Sequence, residues 1–293
     1  MINYQQCPIC SSSEIYEVLK AKDYTVSQEI FSIWECKHCS LRFTQSIPDA
    51  KDIGRYYQSG DYISHSDTKK GLVNNLYHIV RNYTLQQKKK LITQYTGLNS
   101  GRLLDVGCGT GSFLSVMKTA GWQVNGLEPD EEARALALQK NITVDPVDHL
   151  FSFPPASFNA ITLWHVLEHV HELHRYMDQL KKLLTTNGVI FIAVPNYTSA
   201  DARHYKESWA AYDVPRHLYH FSPASMSTLL SLHGLKEVKT LPMWFDSFYV
   251  SMLSEKYRGG NIVSAMVEGT KSNLKTASSH NECSSLIYVI KAI

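Results

Sequence analysis

The chain has 293 residues, 44% of them hydrophobic and 19% charged, and a formal net charge of +2. That length suits one large domain plus a small one, with a composition typical of a well-packed core. The near-balance of charge excludes a polycation that holds nucleic acid or anionic lipid by electrostatics alone, and no apolar run approaches the length of a membrane span. Six cysteines, four of them in two C-x-x-C pairs, point to metal in a reducing compartment rather than to disulfides. Met1–Gln6 lacks the basic and apolar regions of a signal peptide. A cytoplasmic protein is therefore expected.

The first pairs are Cys7-Pro8-Ile9-Cys10 and Cys36-Lys37-His38-Cys39. Two such knuckles can bring four thiolates to one tetrahedral Zn²⁺, with no coordination position left open, so the ion is expected to be structural. Runs such as Ile30–Trp34 between them suit hairpin strands. So small a segment needs a metal to hold its fold, and a zinc ribbon over residues 1–45 is predicted. Its Lys20, Lys22, Lys37 and Arg42 are matched by Glu14, Glu17, Asp23, Glu29 and Glu35, a poor balance for following phosphates. Nucleic acid is thus an unfavoured partner, and His38 is expected to be a solvated knuckle residue.

Residues 46–98 read as a tyrosine-rich loop and a linker helix. Tyr56, Tyr57 and Tyr62 either pack on a domain seam or form a lid. Leu72, Leu76, Ile79, Val80 and Tyr83 recur at helical spacing, with Lys88-Lys89-Lys90 as the wet face. Residues 99–293 form the main domain, which opens on Leu103-Leu104-Asp105-Val106-Gly107-Cys108-Gly109-Thr110-Gly111. An apolar run ending in alternating glycines predicts a buried strand that turns sharply into a helix. Lacking Cβ atoms, these glycines let a ligand lie on the backbone, facing amides and a helix N-terminus. A second apolar run, Val124–Leu127, ends in Glu128, and an acid at that strand tip is placed to take ribose hydroxyls. The third glycine comes one residue too early for a dinucleotide G-x-G-x-x-G, and no P-loop is present.

The spelling Asp105–Gly111 followed by Glu128 resembles the class I S-adenosylmethionine (SAM)-dependent methyltransferases. Phe158–Ile161 running into Leu163-Trp164-His165-Val166-Leu167-Glu168-His169-Val170 is similar to that family's fourth strand and following loop. The resemblance covers roughly residues 100–240. It implies an α/β, Rossmann-like seven-stranded sheet whose last strand, Ser285–Lys291, inserts antiparallel between the fifth and sixth. It also implies SAM bound by Asp105, Gly107, Cys108, Gly109, Gly111, Glu128, Pro129, Val147, Asp148, Trp164 and His165.

The remaining elements alternate as such a sheet requires. Asp130 caps a helix that stops near Asn141, short strand Ile142–Val144 follows, and a strand spans Phe158–Trp164. A helix runs from about Leu173 to Leu184, before Asn187-Gly188. Val189–Val194 is a continuous apolar run of the kind a buried parallel strand needs. Ser222-Pro223 opens a helix that ends by Gly234, and Leu235–Leu241 is the sixth strand. Residues 242–284 are an insertion, rich in Met243, Trp244, Phe245, Phe248, Tyr249, Met252 and Leu253, that suits a helical pair, a substrate wall or lid, or a membrane-surface contact.

Methyl transfer from a sulfonium is an in-line displacement that needs a base only when the acceptor must lose a proton. Candidates are His217, His165, Glu168 and His220, with His169 beside them. The stretch Asp213–Ser222 resembles the corresponding loop of bacterial deoxysugar C-methyltransferases, which also carry an N-terminal four-cysteine module. There a His-Glu-His run supplies the base, and His217 matches its second His, while Pro215 and Arg216 replace the other two residues. Arg216 could grip an acidic acceptor through its planar fork. Glu168 and His169 resemble the Glu-His pair of quinone-ring O-methyltransferases. The expected activity is methylation of a small-molecule or carrier-linked acceptor. Ribosomal-RNA base methylation and a non-catalytic SAM-binding or partner-binding role are the alternatives.

Overall fold

The computed structural model describes residues 1–58 and 72–293, so Tyr62 lies outside the described residues. Three N-terminal strands, β1 (Ile15–Lys22), β2 (Ile30–Cys36) and β3 (Arg42–Thr44), precede helix α1 (Leu72–Thr96). Strands and helices then alternate as β4 (Arg102–Val106), α2 (Ser112–Thr119), β5 (Gln123–Leu127), α3 (Glu131–Gln139), β6 (Val144–Asp145) and β7 (Phe158–Trp164). They continue as α4 (Leu173–Leu183), β8 (Leu184–Pro195), α5 (Ala200–Tyr205), β9 (Tyr219–His220), α6 (Pro223–Leu232) and β10 (Leu235–Pro242). Helices α7 (Asp246–Arg258) and α8 (Ile262–Ser278) lead to the last strand, β11 (Ser285–Ala292).

Seven strands make one mixed sheet in the order β10-β11-β8-β7-β4-β5-β6, with β11 antiparallel. Strand β4 runs parallel to β5 and β7, and β5 runs parallel to β6. Val189 through Val194 are all buried, as expected for a strand covered on both faces. Asn187-Gly188 lies inside β8 rather than before it. A Cβ on Gly188 would meet the Phe158 carbonyl oxygen at 3.0 Å, so the glycine admits a close backbone neighbour instead of a turn.

Helix ends follow the local chemistry. The Asp130 carboxylate accepts from the Ala133 N–H at 2.7 Å, and Asn141 closes α3 with φ of +58°. The Ile142 N–H still bonds back to the Ala137 carbonyl, which is why β6 starts at Val144 rather than at Ile142. Ser222 and Ser225 exchange hydrogen bonds in a capping box, with Pro223 in the first helical turn. The insertion is a helical pair, α7 and α8, joined through Gly259 and capped by Asn261. Trp244, Phe245, Tyr249 and Met252 remain exposed. Among the described residues, no helix is long and apolar enough to cross a membrane.

The chain divides into two compact units, one comprising Met1–Tyr62, Leu167–His174 and Ala193–Tyr288, the other Ile63–Val166, Arg175–Ile192 and Val289–Ile293. In the first, the N-terminal strands form a four-stranded sheet, β1-β2-β3-β9, whose last member comes from residues 219–220. Arg42 opposes His220, and Phe43 opposes Tyr219. One apolar cluster joins Phe31 and Ile33 to Tyr205, Trp209, Tyr212 and Val250. The N-terminal module therefore buries its apolar face in the same core as residues 197–250, which compensates for its small size.

Candidate active site

The glycine loop is built where β4 ends. Gly107 takes φ of +69°, and the N–H groups of Gly107 and Cys108 both donate to the Leu127 carbonyl, at 2.7 and 3.0 Å. The Gly109 N–H donates to Glu128 Oε2 at 2.8 Å, and the Asp130 N–H donates to Glu128 Oε1 at 3.1 Å. The amides expected to face a ligand are thus tied to the tip of β5, and Glu128 locks the loop to its own strand. Lys140 secures the far side by donating to the Thr110 carbonyl and to the Thr110 and Ser112 hydroxyls. Arg81 on α1 also donates to the Ser112 hydroxyl, at 2.7 Å.

Asp105 is 1% exposed and accepts from the Thr162 hydroxyl at 2.6 Å. Burial pushes its carboxyl up to about 7, against the Thr162 hydrogen bond and the positive charge of Lys88. Burial likewise raises the Cys108 thiol above its ordinary value. Trp164 ends β7 with Phe113 edge-on at 5.8 Å and the Lys88 ammonium 4.1 Å from the centre of its ring. Its indole N–H is buried with no hydrogen-bond partner among the described residues. Lys88 was missed because nothing in Lys88-Lys89-Lys90 distinguishes the one lysine that faces the indole. His165 is half-buried with φ of +57°. Pro129 and Asp148 are exposed, and Val147 begins a short 3₁₀ turn after β6.

A second group lies in the first unit. Ring nitrogens of His169 and His217 and a carboxylate oxygen of Glu168 all lie within 4.8 Å of one another, and Glu168 is fully buried. The two imidazoles meet edge-to-face, 4.6 Å between centres. His169 Nδ1 lies 3.0 Å from the Arg216 carbonyl and 3.1 Å from the Tyr57 hydroxyl, and His217 Nδ1 lies 2.9 Å from the Ala211 carbonyl. A carbonyl only accepts, so these partners place a proton on Nδ1 of each ring. Burial, then the neighbouring His217, pulls His169 down to about 4.

His220 is sealed in β9, where its Nε2 lies 3.1 Å from the Thr44 hydroxyl. Thr44 donates to the His217 carbonyl, so His220 donates to Thr44. Burial, with His217 and Arg42 nearby, holds the ring neutral. Arg216 does not offer its fork to an acidic acceptor. It is buried against Asp23 and Asp213, because the chain brings two carboxylates to meet it.

The four cysteines converge as their spacing predicted. Cys7, Cys10, Cys36 and Cys39 place their sulfurs within 4.8 Å of one another. Each knuckle turns the same way. The Ser11 N–H returns to the Cys7 carbonyl and the Ser40 N–H to the Cys36 carbonyl, with Ser11 and Ser40 both at positive φ. His38 is exposed, and His174 links the Pro8 carbonyl to His233.

A seven-stranded sheet with an inserted antiparallel last strand, carrying a glycine loop and a strand-tip acid, defines a class I SAM-dependent methyltransferase fold. A family model described as a methyltransferase domain matches residues 77–240, and the chain belongs to that family. It is 26% identical over 184 residues to a ubiquinone biosynthesis O-methyltransferase of Idiomarina loihiensis, an alignment spanning 58% of this chain and 76% of that protein. A protein of the same name from Paraburkholderia phymatum is 31% identical over 115 residues, 36% of this chain and only 50% of its own length. Among solved structures, a SAM-dependent methyltransferase from Archaeoglobus fulgidus is similar with a TM-score of 0.51 and 20% identity, covering 73% of this chain and 94% of that one.

Proposed function

We propose that the protein transfers the methyl group of SAM to an oxygen of a small-molecule or carrier-linked acceptor, sugar, lipid or quinone-like, in the cytoplasm. The observation that carries this is the Glu128 carboxylate at the tip of β5, fixed by the Gly109 and Asp130 amides. There it is placed to exchange an amide for ribose hydroxyls. Asp105 would face the cofactor's ammonium, and the buried indole N–H of Trp164 offers a donor that SAM could take up. The chain's similarity to the two ubiquinone O-methyltransferases favours a hydroxyl acceptor over a nucleic-acid base. The nearly balanced charge of the N-terminal module supports the same choice.

A hydroxyl acceptor must lose a proton, and we assign that loss to the Glu168–His169–His217 group, with His217 foremost. His217→Ala is expected to lower turnover at least about 100-fold, the usual scale of proton-transfer catalysis, with S-adenosylhomocysteine affinity unchanged. The measurement is tritiated-methyl transfer across a series of phenolic, lipid-linked and nucleotide-sugar acceptors. Near-normal turnover in the variant would remove His217 from the mechanism.

We further propose that the four cysteines hold a structural Zn²⁺. The donor set fits, since four sulfurs in two similarly turned knuckles satisfy a tetrahedral ion. Cys36→Ser, or removal of metal by chelation, should lower the melting temperature by about 10 °C or more. Calorimetry alongside metal analysis checks this, and a metal-free protein that melts at the same temperature would contradict it.

A further inference from the structure

We propose that Glu168, His169 and His217 form a second metal site, one that takes a divalent first-row transition ion with coordination positions left open. Three donors, two imidazole nitrogens and one carboxylate oxygen, already lie within 4.8 Å of one another. Donors bound to a single ion sit about 2.0–2.2 Å from it, hence roughly 3–4 Å apart, so the group needs to close by only about 1 Å.

The surroundings of the two rings carry the argument further. Each Nδ1 is engaged by a backbone carbonyl, Arg216 for His169 and Ala211 for His217. This is the outer-shell arrangement that orients a metal-binding imidazole and reserves Nε2 for the ion. Neither carbonyl belongs to a side chain, so the orientation is fixed by the backbone of residues 210–217. The His217 N–H closes the same turn onto the Asp213 carbonyl. Asp213 Oδ2 lies 4.0 Å from His217 Nε2, near enough to act through a bound water while its other contacts hold Arg216. Glu168 in turn is held by its own backbone, whose carbonyl accepts from the Leu218 N–H at 2.8 Å.

Two nitrogens and one oxygen favour Zn²⁺, Co²⁺, Fe²⁺ or Mn²⁺ over Mg²⁺, which prefers an all-oxygen shell. Three protein ligands leave room for an anionic oxygen, unlike the closed set of four thiolates at the N-terminus. The consequence for catalysis rests on the reading of this group as the place where the acceptor loses its proton. An acceptor hydroxyl on such an ion would ionise near neutral pH, with its proton released to water, and His217 would act as a ligand rather than as a free base. Binding itself is tested without turnover or SAM, so its failure is separable from failure of the methyl-transfer assignment.

The experiment is a Co²⁺ titration of reduced, metal-stripped full-length protein, followed by visible and near-ultraviolet absorption. Two equivalents are expected. One shows the intense sulfur-to-cobalt charge-transfer band of the thiolate site, and the other shows only weak ligand-field bands. Glu168→Gln and His217→Ala should each weaken the second equivalent at least 10-fold and keep the first. Retention of the thiolate band also reports that the unit still folds, and His169→Ala serves if either variant loses it. A single equivalent in the wild type would overturn the proposal, as would a second equivalent bound equally well by all three variants.

Discussion

Arg216→Ala is expected to destabilise the protein by about 3–5 kcal/mol, the cost of leaving a buried ion group without its central charge. Its guanidinium lies 3.0 Å from Asp23 Oδ1 and 2.6 Å from Asp213 Oδ1, and it donates to the Tyr56 carbonyl at 2.7 Å. The Arg216 and Asp23 side chains are 1% and 0% exposed. Removing the cation strands the buried Asp23 carboxylate in a core that cannot solvate it and leaves the partly exposed Asp213 without its partner. Asp23 also receives the N–H groups of Thr25, Val26 and Ser27, so the whole β1–β2 turn hangs on the same acid. Burial alone would raise Asp23, but the Ser27 N–H and the Arg216 guanidinium more than reverse this and hold it below its ordinary value. A lowered folded value means that its contribution is present above the ordinary carboxylate range and is lost as pH falls below about 3.9. Urea midpoints at neutral and acid pH measure both effects. The wild type should lose stability on acidification, and the variant should start lower. An unchanged midpoint would show that the ion group contributes nothing.

Gly107→Ala should weaken S-adenosylhomocysteine binding about 30-fold or more. At φ of +69° an L side chain costs about 1–2 kcal/mol. The added Cβ would lie 2.4 Å from Val166 Cγ2, so the loop or the segment after β7 must move. Such overpacking adds about 1–3 kcal/mol, and the share of it that returns when the displaced loop must retake its binding shape lowers affinity by a decade for each 1.4 kcal/mol. Equilibrium dialysis with labelled ligand reads the change. Affinity within a few-fold of wild type would mean that the backbone of this loop does not shape the cofactor site.

These two predictions separate what the sequence carried from what it did not. The alternating strands and the cysteine knuckles were legible because periodicity, glycine spacing and paired thiols act locally, whereas the insertion of the last strand was implied only by the resemblance to class I methyltransferases. The Asp130 cap and the place of Glu128 at the end of β5 were legible for the same reason, since both lie at an element boundary with a distinctive residue. Arg216 was misread because its partners are three and 193 residues away, and a buried ion group leaves no pattern in the nearby sequence. Strand β9 was missed because two residues, Tyr219 and His220, are too few to show alternation. They pair with β3 across a separation no local signal spans. Lys88 is a third case, where one lysine of three turns to an indole.

The most direct test of the central claim is calorimetric titration of the purified protein with S-adenosylhomocysteine, beside Glu128→Ala. Micromolar binding that collapses in the variant is the predicted result, because the carboxylate that anchors the Gly109 and Asp130 amides is the one assigned to the ribose. A folded, metal-loaded protein that does not bind the ligand, or a variant that binds it as well as the wild type, would contradict the account.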